Sequence, residues 1–130
     1  MQNFAARIVS GSNKYEHIIP VLRQLNWLPV SYMLQFRELV MSFRRVNNLA
    51  PEYLCNKFKR RSAVHDFHTR NNNQHDIPFF KTASGQRTSV YRATRLWNNV
   101  NIEVKDSTHT SVSTIKKQMK FHLFNEFLNT

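Results

Sequence analysis

Met33, Phe36, Val40 and Phe43 recur at three- and four-residue steps. Val112, Ile115, Met119, Leu123 and Phe127 repeat that rhythm near the other end of the chain. An apolar stripe of this period stays on one face only if the backbone is an α-helix. Two helices that each carry such a stripe must bury it, and a helix-on-helix core is the direct solution. The first stripe predicts a helix over 30–47. Leu34, Leu39 and Met41 widen it, so burial over much of its circumference is expected, with Arg37, Arg44 and Arg45 away from the stripe centre. The second predicts a helix of about 27 Å, capped by Thr110 or Ser111.

The remaining segments fit around these two. Ala5, Ala6 and Arg7 favour a helix over 2–10, with Phe4 and Ile8 on one face and Gly11 as its stop. A second helix spans 17–25, where Pro20 is tolerated in the first turn. Asn26-Trp27-Leu28-Pro29 is a tight connector, and Ala50-Pro51-Glu52 opens a shorter helix through Phe58. Over 59–76 the apolar period disappears. Lys59-Arg60-Arg61 and Asn71-Asn72-Asn73-Gln74 read as a mobile, polar loop. Ile77–Phe80 and Thr88–Tyr91 are extended candidates, paired as a hairpin across Ala83-Ser84-Gly85 with Gly85 at positive φ. Ala93 to Val100 is a short helix. The expected fold is mainly α: a small bundle of about five helices with a short β-hairpin in its second half. It divides into a helical region 1–58, a basic and polar loop 59–76, and a hairpin with C-terminal helices over 77–130.

Lys and Arg total 19 against 8 Asp and Glu, a formal charge of +11. Residues 1–65 hold 10 basic and 3 acidic side chains and residues 66–130 hold 9 and 5, so the charge is spread over both halves. Such a surface concentrates polyanions. Arg44, Arg45, Lys57, Lys59, Arg60 and Arg61 are candidates to line a backbone-tracking groove, a solvated face being the alternative. Arg87, Arg92 and Arg95 are candidate phosphate contacts. Lys116, Lys117 and Lys120 are expected opposite the Ile115/Met119 stripe, facing solvent. Trp27 and Trp97 sit in apolar spacing that favours core over base stacking.

Groups that make or break bonds are scarce. Asp66, Asp76 and Asp106 are scattered and no Asp-Asp pair exists, so a two-metal carboxylate cluster is not encoded. Gly11 and Gly85 alone cannot build a phosphate-cradling loop. Cys55, His65, His68 and His75 are metal-ligand types without the paired Cys-x-x-Cys spacing. They read as solvated loop histidines beside a buried cysteine. One cysteine permits no intrachain disulfide, which fits a reducing, intracellular compartment. No apolar run approaches the ~20 residues of a membrane span. No feature sets an oligomeric state.

The order of several short motifs resembles one family. Gln2-Asn3-x-Ala5-Ala6-Arg7, His17-Ile18-Ile19-Pro20-Val21-Leu22, Leu25-x-Trp27-Leu28-Pro29-Val30 and Leu49-Ala50-Pro51-x-Tyr53-Leu54 come first. Arg70, Pro78, Gly85-x-Arg87, Leu96-Trp97-Asn98 and Phe121-His122-Leu123-Phe124 follow. Together they resemble the region after the catalytic palm in non-LTR, LINE-type (jockey-like) retrotransposon reverse transcriptases. The resemblance covers nearly the whole chain. It implies a helical thumb and C-terminal tail that track RNA, an RNA–DNA hybrid or DNA, in the nucleus or cytoplasm. It implies no polymerase site here, because the aromatic-x-Asp-Asp and its magnesium belong to the palm, so this chain needs no cofactor. Met1 falls where the family continues upstream, which implies a fragment or truncated copy. Asn101 departs from the family's Pro after the short helix. An alternative expectation is a structural scaffold that docks on the missing palm without activity of its own.

Overall fold

The computed structural model describes residues 1–100 and 111–130, which form eight helices and no named strand. They are α1 (Gln2–Ser10), α2 (Ile18–Gln24), α3 (Val30–Val46), α4 (Glu52–Cys55), α5 (Arg61–Val64), α6 (Ala83–Gln86), α7 (Ser89–Asn99) and α8 (Val112–Asn129). The mainly helical class holds, though the elements are more numerous and several are single turns. Asn101 and Thr110 lie outside the described residues. Ser111 caps α8, its hydroxyl accepting from the Ser113 N–H at 3.4 Å.

α3 is the spine, packed against both α7 and α8. Leu39, Val40 and Phe43 of α3, Ala93 and Trp97 of α7, and Ile115, Met119, Leu123 and Phe127 of α8 are all buried in one cluster. The Phe43 and Trp97 rings lie 6.5 Å apart. Removing a side chain as large as Phe43 or Leu123 from water contributes about 1.5–3 kcal/mol each, which is why the two stripes dictate the architecture. Leu34 and Met41 remain exposed, so α3 is buried over a narrower arc than its composition suggested.

Helix ends follow local chemistry. Gly11 closes α1 at φ 68, and the Ser12 N–H reaches back to the Arg7 carbonyl at 3.1 Å. Asn26 and Asn48 take the left-handed region after α2 and α3, at φ 53 and 55, a conformation asparagine tolerates. The Gln2 side chain donates to the Leu28 carbonyl at 2.7 Å, tying α1 to the connector after α2. At its far end α8 settles on α2 and α3. The Arg23 guanidinium lies 5.4 Å from the Phe127 ring centre, and Tyr32 packs on the same ring at 5.7 Å.

Two expectations for the second half are corrected. The hairpin does not form: Ala83–Gln86 is a helical turn, and Ser89–Tyr91 open α7. Thr82 caps the turn by accepting from the Gly85 N–H at 3.2 Å, and the Thr88 hydroxyl donates to the Gly85 carbonyl at 2.7 Å. Val90, Ala93, Thr94 and Trp97 then share one helical face against α3, and that burial overrides the β preference of the Thr-Ser-Val-Tyr run. Gly85 is helical, not at positive φ. Its lack of a side chain admits Phe80 instead, since a β-carbon there would stand 2.7 Å from the Phe80 Cβ.

The 59–76 segment is likewise anchored at its ends. Arg60 and His75 form an antiparallel bridge; the Arg61 N–H donates to Gln74 O at 2.9 Å and the Asp76 N–H to Lys59 O at 2.8 Å. α5 occupies part of the interval. His75 is buried, not solvated: its ring packs on Phe58 at 4.8 Å. Asn98 of α7 brackets its backbone, accepting from the His75 N–H at 3.0 Å and donating to its carbonyl at 2.9 Å. Cys55, expected to be buried, is partly exposed, and its thiol donates to the Ala50 carbonyl at 3.3 Å.

Candidate nucleic-acid interface

α7 carries two faces. Ala93, Thr94 and Trp97 turn inward, while Tyr91, Arg92, Arg95 and Asn99 follow one another along a second face at helical steps. That second face, with Gln35 of α3, Gln86 of α6 and Arg87 just beyond it, lines a cleft of about 470 Å³. Arg87, Arg92 and Arg95, singled out from sequence for phosphate contact, therefore share one concavity. Gln35, Gln86 and Asn99 add amide groups. Tyr91 packs edge-on against Phe80, with ring centres 6.2 Å apart, so the contact that Gly85 permits also helps to hold the cleft wall.

One acid opposes these cations. Glu38 of α3 meets Arg92 at 3.3 Å, and its other carboxylate oxygen is buried without a hydrogen bond. The Arg92 side chain is 44% exposed, so the pair contributes at most about 1 kcal/mol to stability. Its larger effect is on the cleft. It engages Arg92 and offsets part of its charge, leaving Arg87 and Arg95 as the cleft's exposed guanidinium groups with no carboxylate partner among the described residues. Planar guanidinium forks of this kind suit bidentate phosphate contact.

The other predicted cations do not join this cleft. Arg44 and Lys116 rim a shallow depression of about 320 Å³ with Arg37, over a floor that includes Phe36, Val40 and Met41. Lys116 is exposed, as expected, but it sits beside the α3–α8 seam and not opposite the apolar stripe. Lys117 and Lys120 do face outward, around a separate groove with Phe121 and Phe124. Lys57, Lys59 and Arg60 are exposed and Arg61 is half-buried along the anchored segment. Arg45 is only 6% exposed. Its guanidinium lies 5.8 Å from the Phe58 ring centre, with Nε and Nη1 buried and without hydrogen-bond partners. It is a core cation and unavailable to a polyanion. Trp97 is core, as expected, while Trp27 is half-buried.

Sequence reasoning missed Gln35, Glu38, Gln86, Tyr91 and Asn99. The spacing of Tyr91, Arg92, Arg95 and Asn99 held the signal, but it is readable only if the helix begins at Ser89. Gln35 and Glu38 come from a distant helix and carry no local signature. Among the described residues no group of three or more His, Cys, Asp or Glu is placed to hold a metal ion, and no helix is long and apolar enough to cross a membrane. The chain matches no protein-family model, no curated protein and no solved structure.

Proposed function

We propose that this chain is a noncatalytic nucleic-acid-binding module, akin to the thumb and C-terminal tail of a LINE-type reverse transcriptase. It grips an RNA, RNA–DNA or DNA backbone through charge, with little base reading. The observation that carries this reading is the convergence of Arg87, Arg92 and Arg95 on one amide-lined cleft. This grip holds phosphates between Arg87 and Arg95, with the Asn99 amide beside them, and the wider positive surface raises the encounter rate. The polymerase site and its magnesium belong to a palm outside these residues, and the module works in the nucleus or cytoplasm. The test is a salt titration of binding to a labelled RNA–DNA hybrid. Affinity falls with salt by about 0.7–0.9 log units per log unit for each phosphate neutralised. A flat titration overturns the reading.

A specific observation favours a second reading, a scaffold that docks on the missing palm. α1 buries only Ala6 and leaves Phe4, Ile8 and Val9 exposed by 63% or more. Beside it, an apolar hollow of about 550 Å³ is lined by Ile18, Ile19, Leu22 and Val30 among others. Exposed apolar surface of this kind marks an interaction face. Near-UV circular dichroism separates the readings. A defined tryptophan signal supports an autonomous module, and its loss with helical far-UV signal retained supports the dependent scaffold.

A further inference from the structure

We infer that α8 carries a stacking platform for unpaired nucleobases, with Phe121 receiving a base face and Lys117 and Lys120 holding the flanking phosphates. This rests on the polyanion reading above and adds that the α8 face engages an unpaired stretch of the nucleic acid.

α8 has two separate stripes. Ile115, Met119, Leu123 and Phe127 are buried. Lys117, Lys120, Phe121 and Phe124 follow helical spacing on another face and line a groove of about 360 Å³ with Asn26. Phe121 is 68% exposed, whereas Phe124 is half-buried against the core and forms the groove's floor. Phe121 is thus not needed for packing, and both exposed cations of the groove flank it. Among the described residues no acidic side chain lines the groove.

The pairing of charge with an open aromatic face selects the occupant. A duplex keeps its base faces stacked inside, so it offers Phe121 nothing. An unpaired strand offers a π-face at each nucleotide and a phosphate on either side. A bilayer surface also carries negative charge, but it requires a broad apolar band on the helix. Phe124 and Leu128 share the face of Phe121, but Lys117, Gln118 and Asn125 interrupt it, so the apolar surface is a short strip and not a broad band. Asn26 is exposed and lines the groove, an amide within the reach of a base edge.

The test uses the full chain and three fluorescein-labelled probes: a single-stranded dodecamer, the same strand with abasic sites, and its duplex. Stacking is worth enough that the normal strand should bind at least about fivefold tighter than the abasic strand. Phe121→Ala should abolish that difference without moving the thermal midpoint, and Phe121→Trp should keep it. Equal, salt-sensitive binding of normal and abasic strands by the unaltered protein would overturn the stacking platform while leaving the charge-based grip intact. No salt-sensitive binding to any probe would overturn both. A base preference that survives Phe121→Ala would remove Phe121 from the role. If phosphatidylserine vesicles bind through Phe121 while normal and abasic strands bind alike, the face belongs to a lipid surface and the proposal fails.

Discussion

Phe80 packs so closely on Gly85 that a β-carbon at residue 85 would lie 2.7 Å from both its Cβ and one ring carbon. Neither atom is the far end of a flexible chain, so a side chain at residue 85 must push α6 away from the 77–82 segment. Gly85→Ala is expected to cost about 1–3 kcal/mol, the range for overpacking, measured as a lower urea midpoint. Adding Phe80→Ala should recover only the part of the Gly85→Ala loss that comes from the Phe80 ring, since alanine keeps the Cβ that also clashes.

The Glu38–Arg92 pair makes the cleft cations unequal. Arg87→Gln and Arg95→Gln should each weaken hybrid binding and lower the magnitude of the salt slope by about 1. Arg92→Gln should have a smaller effect, since Glu38 already engages that guanidinium. Glu38→Gln should tighten binding by removing the opposing charge. Fluorescence anisotropy across a salt series reads all four.

Arg45 gives a contrasting case. Its guanidinium is buried against Phe58 with two nitrogens unpartnered. Replacing a poorly satisfied buried charge by an apolar chain of similar volume is often neutral or stabilising. Arg45→Met should leave nucleic-acid affinity unchanged and keep or raise the urea midpoint. A fall in affinity matching that of Arg87→Gln would return Arg45 to the binding surface.

Phe4 and Ile8 stand one helical turn apart on α1, both exposed. Phe4→Glu with Ile8→Glu should change stability by less than about 0.5 kcal/mol, as expected for surface sites. The same pair should suppress concentration-dependent self-association in light scattering if this face seeks a partner. Unchanged association would remove α1 from any docking surface.

What the sequence disclosed tracks how local the determinant is. The stripes of α3 and α8 are periodic over many residues, so both helices and the buried stripe of α8 were legible directly; the edges of the α3 face were not, since Leu34 and Met41 are exposed and Arg45 is buried. The start of α7 was not, because Thr88-Ser89-Val90-Tyr91 has extended-chain propensity that only packing against α3 overrules. His75 looked solvated in a polar run; its burial depends on Phe58 and on Asn98, 23 residues away. The cleft was half legible for the same reason. Its arginines stand close together in the chain, whereas Gln35 and Glu38 reach it only through the tertiary fold.

The stem formed where Lys59–Arg61 meets Gln74–Asp76 has an engineering consequence. A loop whose base is already closed can be lengthened cheaply, at roughly 0.6 kcal/mol for each doubling. The exposed tip near Asn71 and Asn73 is accordingly the place to splice in a fluorophore tag or a purification epitope, or to absorb natural insertions, with the helical frame left as it is.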